Sequence, residues 1–115
     1  MAKQIVLYNL KDDVTEEDFL KFVNEYKGPF ITGLSAVKRY TITRVTMAKK
    51  AVAGIPEPVE VPYQIAAIVE LTSLPDYKKN TESEAYQKEF TPRFGKMVKD
   101  LIILQAEEIY DNKSE

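Results

Sequence analysis

A chain of 115 residues with no histidine and no cysteine must draw any chemistry from tyrosine, arginine, glutamate or asparagine. The missing cysteines exclude disulfides, zinc–thiolate sites and thiol nucleophiles. The missing histidines remove the commonest general base and metal ligand, and the side chain that ordinarily titrates near neutrality. Seven tyrosines and five phenylalanines, with no tryptophan, make aromatic rings the main binding resource. Tyr77, Tyr86, Phe90 and Phe94 belong to a helical stretch, and Tyr8 to a strand. A cleft between them would be apolar with a few hydroxyls, the usual build of a small-molecule pocket. Taken one by one, such rings more often simply fill a solid core.

Among the charged residues on strands, Arg39, Arg44 and Glu70 are the ones expected to matter. Arg39 and Arg44 are five positions apart, so they face opposite ways and only one can reach any single pocket. Glu70 sits in the most apolar strand, where an unpaired carboxylate is costly. It is paired with an arginine, lies near solvent at the sheet end, or is a buried acid with a raised pKa. Structural pairing ranks first and a catalytic base second. Glu107, Glu108 and the Lys49-Lys50 pair read as solubilising charge. Asp12-Asp13 and Glu82–Glu84 lack the spacing of a calcium loop, and four scattered glycines make no phosphate loop. A haem ligand would have to be tyrosine or methionine. No metal and no cofactor are expected.

The elements that must position these groups follow from periodicity. Lys3–Leu10 is a β-rich apolar run. Thr15 then reads as a helix cap, with Asp18 nearly completing a capping box. Phe19, Phe22, Val23 and Tyr26 follow at i, i+3, i+4 and i+7, one helical face that Gly28-Pro29 is expected to stop. Ala36–Thr46 is a second strand. Residues 47–62 hold Pro56, Pro58 and Pro62 and read as a long exposed loop. Tyr63–Leu71 is a strand with Ile65, Ala67, Val69 and Leu71 on one face, Ala66 and Ile68 on the other. Ser73 caps a short helix, and Tyr86 to Leu101 keeps helical spacing until Pro92, which should kink the helix or restart it from a Thr91 cap. Leu101–Tyr110 is a fourth strand, and 111–115 a charged tail.

The order β-α-β-β-α-β is the ferredoxin-like arrangement, an α+β fold with both helices on one face of a four-stranded antiparallel sheet. One domain spanning 1–115 is expected. The central strand is apolar on both faces, yet the chain has helix enough for one. A homodimer through the sheet faces, closing an α/β barrel, is the simplest cover. Hydrophobic content of 44% fits a globular protein, and a net charge of −2 gives no reason to expect nucleic acid. The opening run is too short for a signal core, and no stretch approaches the ~20 apolar residues of a membrane span. A cytoplasmic protein is expected.

Ile5–Glu17 and Ile68–Tyr77 resemble the first strand with its helix entry, and the third strand with its turn, of the dimeric α/β-barrel superfamily. Leu34–Tyr40, Thr43–Val45, Phe94–Asp100 and Glu107–Ile109 are similar to RedY-like proteins, a group associated with prodigiosin-type pigment pathways. The superfamily's polyketide cyclases use three histidines, at positions that hold Gln4, Ala67 and Tyr86 here. Only a tyrosine after the third strand has a counterpart, Tyr77. Histidine-driven cyclisation and histidine-ligated haem are therefore not expected. The resemblance implies an accessory enzyme or ligand-shaping protein acting on a hydrophobic secondary metabolite. Tyr77 and Tyr86 would donate hydrogen bonds, Arg39 or Arg44 would hold an anionic group, and Glu70 would be the base. Tyr8, Phe90 and Phe94 would line the pocket. The alternative is a non-catalytic dimeric binding or stress-responsive barrel protein.

Overall fold

The computed structural model describes residues 1–112. Its main sheet has four strands: β1 (Ala2–Leu10), β2 (Val37–Arg44), β5 (Ile65–Leu71) and β6 (Val98–Glu107). They run antiparallel in the order β2-β5-β1-β6. Helices connect β1 to β2 and β5 to β6, which is the expected ferredoxin-like α+β fold. The last strand lies three residues earlier than its sequence pattern suggests, leaving Ile109 and Tyr110 exposed beyond it. Of the expected charged tail, residues 113–115 lie outside the described residues.

The first helix, α1, spans 16–32. The capping box forms: Thr15 Oγ1 accepts from Asp18 N at 3.0 Å and Asp18 Oδ2 accepts from Thr15 N at 3.3 Å. Gly28-Pro29 does not stop this helix, contrary to the sequence expectation. Val23–Lys27 widens into a π-helical turn, in which Gly28 N donates to Val23 O, and Gly28–Thr32 continues as α-helix. Widening the turn relieves the clash a proline ring has with the carbonyl one α-turn back. The same device recurs after α2 (Leu74–Thr81), in the helix α3 that spans 85–95. Ala85–Phe90 is π-helical, Thr91 N donates to Tyr86 O, and Pro92 follows. Thr91 therefore sits inside the helix instead of capping it, with its hydroxyl donating to Tyr86 O at 3.0 Å. Leu101 is in β6, not in this helix.

Residues 47–62 are exposed as expected but are not a structureless loop. Ala48–Val52 (β3) and Ile55–Val59 (β4) pair as a hairpin across Ala53-Gly54, whose φ values of 52° and 82° suit a tight primed turn. Pro56 and Pro58 are two apart, so their missing N–H groups lie along one edge of the ribbon. Two prolines at that spacing do not forbid a strand.

All three helical segments lie over one face of the sheet. Val6, Tyr8 and Leu10 of β1 and Ile65, Ala67, Val69 and Leu71 of β5 are buried beneath them. On the other face the register places Ile5 between Ile68 and Leu104, and Leu7 between Ala66 and Ile102. These two rows form a continuous apolar stripe with no helix over it.

The π-turn gives a stability test. A Cβ added at Gly28 would meet Val23 O at 2.8 Å, whereas one added at Gly95 meets nothing within 4 Å. Gly28→Ala is expected to cost ~1–3 kcal/mol, and Gly95→Ala to be neutral or to gain up to ~1 kcal/mol. Urea midpoints at constant slope measure both.

Candidate functional site

Where the helices cross the sheet they leave a cavity of about 210 Å³. Its floor is Gln4 and Val6 of β1 with Ala67 and Val69 of β5. The small Ala67, on the helix-facing side of the central strand, leaves room that a larger aliphatic residue would fill. Tyr77 from α2 and Tyr86, Phe90 and Phe94 from α3 form walls and roof. Exposed Leu101 and Ile103 of β6 mark the mouth. The roof is held by ring contacts: Phe90 stacks on Phe30 at 4.9 Å and meets Tyr86 at 5.0 Å and Phe94 at 5.7 Å. Such pairs add ~0.5–1.5 kcal/mol each beyond their burial.

The cavity brings together four of the residues expected there, Tyr77, Tyr86, Phe90 and Phe94. Gln4, Ala67 and Tyr86, the positions that the sequence resemblance set against the cyclase histidines, all line it. Gln4 Nε2 donates to Tyr77 Oη at 3.4 Å, and the Tyr77 hydroxyl also meets that of Tyr86. Burial raises both hydroxyls above the usual tyrosine range, so they stay protonated and remain donors.

The other expected site residues lie elsewhere. Tyr8 is fully buried behind the cavity wall. Glu70 and Arg39 project from the opposite face of the sheet, where their charged groups approach to 3.9 Å. That outcome is the structural pairing, and it removes Glu70 from the cavity as a base. Arg44 is on the helix side, as the five-residue spacing requires, but it is held at the rim by both carboxylate oxygens of Glu16. Neither arginine reaches the cavity.

Lys27 was not singled out by the sequence reasoning. Among the described residues the two buried polar side chains, Gln4 and Lys27, both line the cavity. Lys27 is 4% exposed. Its Nζ donates to Tyr8 Oη at 3.1 Å and sits 3.9 Å above the Phe94 ring. The Tyr8, Tyr40 and Phe19 ring centroids surround it at 5.1, 5.4 and 5.6 Å. Among the described residues no carboxylate is within ion-pair distance. Ring faces attract a cation only in part, and burial pushes the Lys27 amine down from 10.5 to about 7. The chain therefore does hold a group that titrates near neutrality. A signal was present: Lys27 is i+8 from Phe19 and i+4 from Val23, on the same apolar face.

A model of the family described as REDY-like protein HapK matches residues 2–109. The chain belongs to this family. No curated protein matches the sequence significantly. The fold superposes on the crystal structure of HapK from Hahella chejuensis with a TM-score of 0.75 at 16% identity, covering 100% of this chain and 99% of that one. A dabb family protein with a ferredoxin-like fold from Mesorhizobium loti gives 0.71 at 11% identity, over 95% and 97% of the two chains. A dimeric ferredoxin-like protein of unknown function from Bacteroides fragilis gives 0.59 at 20%, over 93% and 95%. At these identities the likeness is one of fold.

The buried amine sets a pH dependence of stability. Between about 7 and 10.5 the unfolded chain keeps a lysine proton that the folded chain has released. Stability therefore rises with pH across that window, by ~1.4 kcal/mol per unit of displacement and so a few kcal/mol in all, and is lowest below 7. Above about 10 the buried hydroxyls of Tyr8, Tyr40 and Tyr77, all raised, turn the curve down again. Lys27→Met is expected to abolish the rise and to be more stable than the parent at pH 6. Thermal melts from pH 6 to 10 read both effects.

Proposed function

We propose that this REDY-like chain is a dimeric binding protein for a hydrophobic small molecule, held in the cavity between sheet and helices. The observation that carries the reading is the cavity itself: an apolar, aromatic-roofed space with a few convergent hydroxyls, within a core packed elsewhere. A volume of about 210 Å³ is of the size of one or two fused rings. Tyr77 and Tyr86 orient the ligand by hydrogen bonds, while Phe90 and Phe94 press on it from above. The ligand proposed is a secondary metabolite, a pigment precursor or related polyketide-like compound, a reading that the resemblance to RedY-like proteins supports. Genes for such a pathway beside this one would support that role.

A catalytic reading is kept by Tyr77 and Tyr86, whose donors would polarise a carbonyl on a bound substrate. One positioned acid or base gives ~10²–10⁴-fold, so turnover would be slow. With Glu70 on the other face of the sheet, binding is the better supported reading.

The partner proposed for the exposed stripe of Ile5, Leu7, Ile68, Ile102 and Leu104 is a second copy of the chain. Exposed apolar area of this kind marks an interface, and dimeric relatives of the fold are consistent with it. A twofold pairing of the sheets closes the barrel.

Two experiments test these readings. Ala67→Ile extends the floor into the cavity and Phe90→Trp adds bulk to the roof. Both are expected to weaken binding of an apolar fluorescent probe at least tenfold, with Ala67→Ile keeping the parent's stability. Unchanged binding in both would remove the cavity as the ligand site. Ile5→Glu is expected to shift the chain from dimer to monomer in sedimentation velocity, whereas a monomeric parent at micromolar concentration would end the dimer proposal.

A further inference from the structure

We propose that the cavity selects an apolar ligand carrying one ionised oxygen acid (a carboxylate, phenolate or enolate), with the Lys27 ammonium as its counter-charge. This rests on the ligand-binding reading and deepens it by naming the ligand class. Three observations carry it. Lys27 Nζ is buried at the cavity wall, and among the described residues no carboxylate partners it. A buried cation without an anion is costly, and bringing an anion beside it recovers much of that cost. The other polar groups of the wall are hydroxyls and the Gln4 amide, with no carboxylate among them. One of them, Tyr40 Oη, is buried without a hydrogen-bond partner. An acidic oxygen can accept from such donors, whereas a second cation could not. Finally, the two strand arginines are already engaged by Glu16 and Glu70 outside the cavity, so Lys27 is the cation left for an anionic group.

The titratable groups around Nζ are Tyr8 on β1 and Tyr40 on β2. Tyr77 on α2 and Tyr86 on α3 line the same cavity, β5 contributes Ala67 and Val69, and Phe19 and Phe94 are the neighbours from α1 and α3. Burial keeps all four tyrosines protonated. Anion binding should therefore follow the lysine alone and carry a proton onto it.

The probes are 2-naphthoate and its neutral counterpart 2-naphthamide, titrated by fluorescence against the full chain, which has no tryptophan background. At pH 6.5 naphthoate is expected to bind at least tenfold tighter than naphthamide, with the preference fading by pH 9.5. Lys27→Met should erase the preference while still binding naphthamide, and Ala67→Ile should weaken both probes. Equal affinity of the parent for the two probes, or a preference that survives pH 9.5 and Lys27→Met, overturns the counter-charge and leaves the cavity standing. Failure of both probes to bind overturns the cavity reading and this inference with it.

Discussion

The sheet is apolar on both faces, and the helices of this chain cover one. Every other arrangement in the structure answers to that constraint. Strand alternation sends Ile65, Ala67, Val69 and Leu71 under the helices, and Ala66 and Ile68 to the open side. The neighbouring strands repeat the division, so Ile68, Ile5 and Leu104 lie side by side in one open-face row, with Ile5 in the middle. At ~25 cal/mol per Å² of apolar surface removed from water, a stripe this long is a standing drive toward association. The helix-covered face is then free to carry a site, while the open face is the one proposed to pair with a second copy.

Specialisation of the covered face depends on how the helices are bent. Two π-turns, each immediately before a proline, let α1 and α3 pass over the sheet without breaking. They also re-aim the side chains on either side of the turn. In α1 the turn ends at Lys27, and in α3 it ends at Phe90, so the two widened segments meet at the cavity. Irregular helical turns of this kind are common where a fold carries a site. Here their cause is local: Gly28 and Thr91 shift to a bond five residues back, and the proline that follows requires no N–H.

The strand positions were legible because period-two patterning survives in β1 and β5 on both faces. The first helix was legible only up to Gly28-Pro29, and the last was read as kinked or restarted at Pro92 and carried too far, to Leu101, since a rule that stops or kinks helices at proline carries no term for a widened turn. The hairpin at 48–59 was hidden by the same prior, as Pro56 and Pro58 suit one edge of a ribbon though they would break a central strand. Within the site, aromatic spacing located Tyr77, Tyr86, Phe90 and Phe94. Arg39, Arg44 and Glu70 were over-read because charge in a strand reveals its face but not its partner. Lys27 was passed over because a lysine at the end of an amphipathic helix ordinarily extends its stem and keeps its ammonium in water. Burial of the head group depends on Phe19 of the same helix and on Tyr8, Tyr40 and Phe94, which arrive from β1, β2 and α3.

A buried lysine without a carboxylate is a local contradiction in an otherwise consistent core. Methionine would fill the same volume without the desolvation cost, and replacing buried charge by apolar groups is often stabilising. Arginine would hold its charge at any pH, and a histidine at this depth would be neutral well below pH 7. Lysine alone combines a long apolar stem, a compact donor and, once buried, a charge that responds to what occupies the space beside it. Departures from consistency of this kind concentrate where a fold serves something other than its own stability. In this chain the departure coincides with the gap between helix layer and sheet: the buried ammonium, the orphan hydroxyl of Tyr40 and the small side chain of Ala67 all border one cavity.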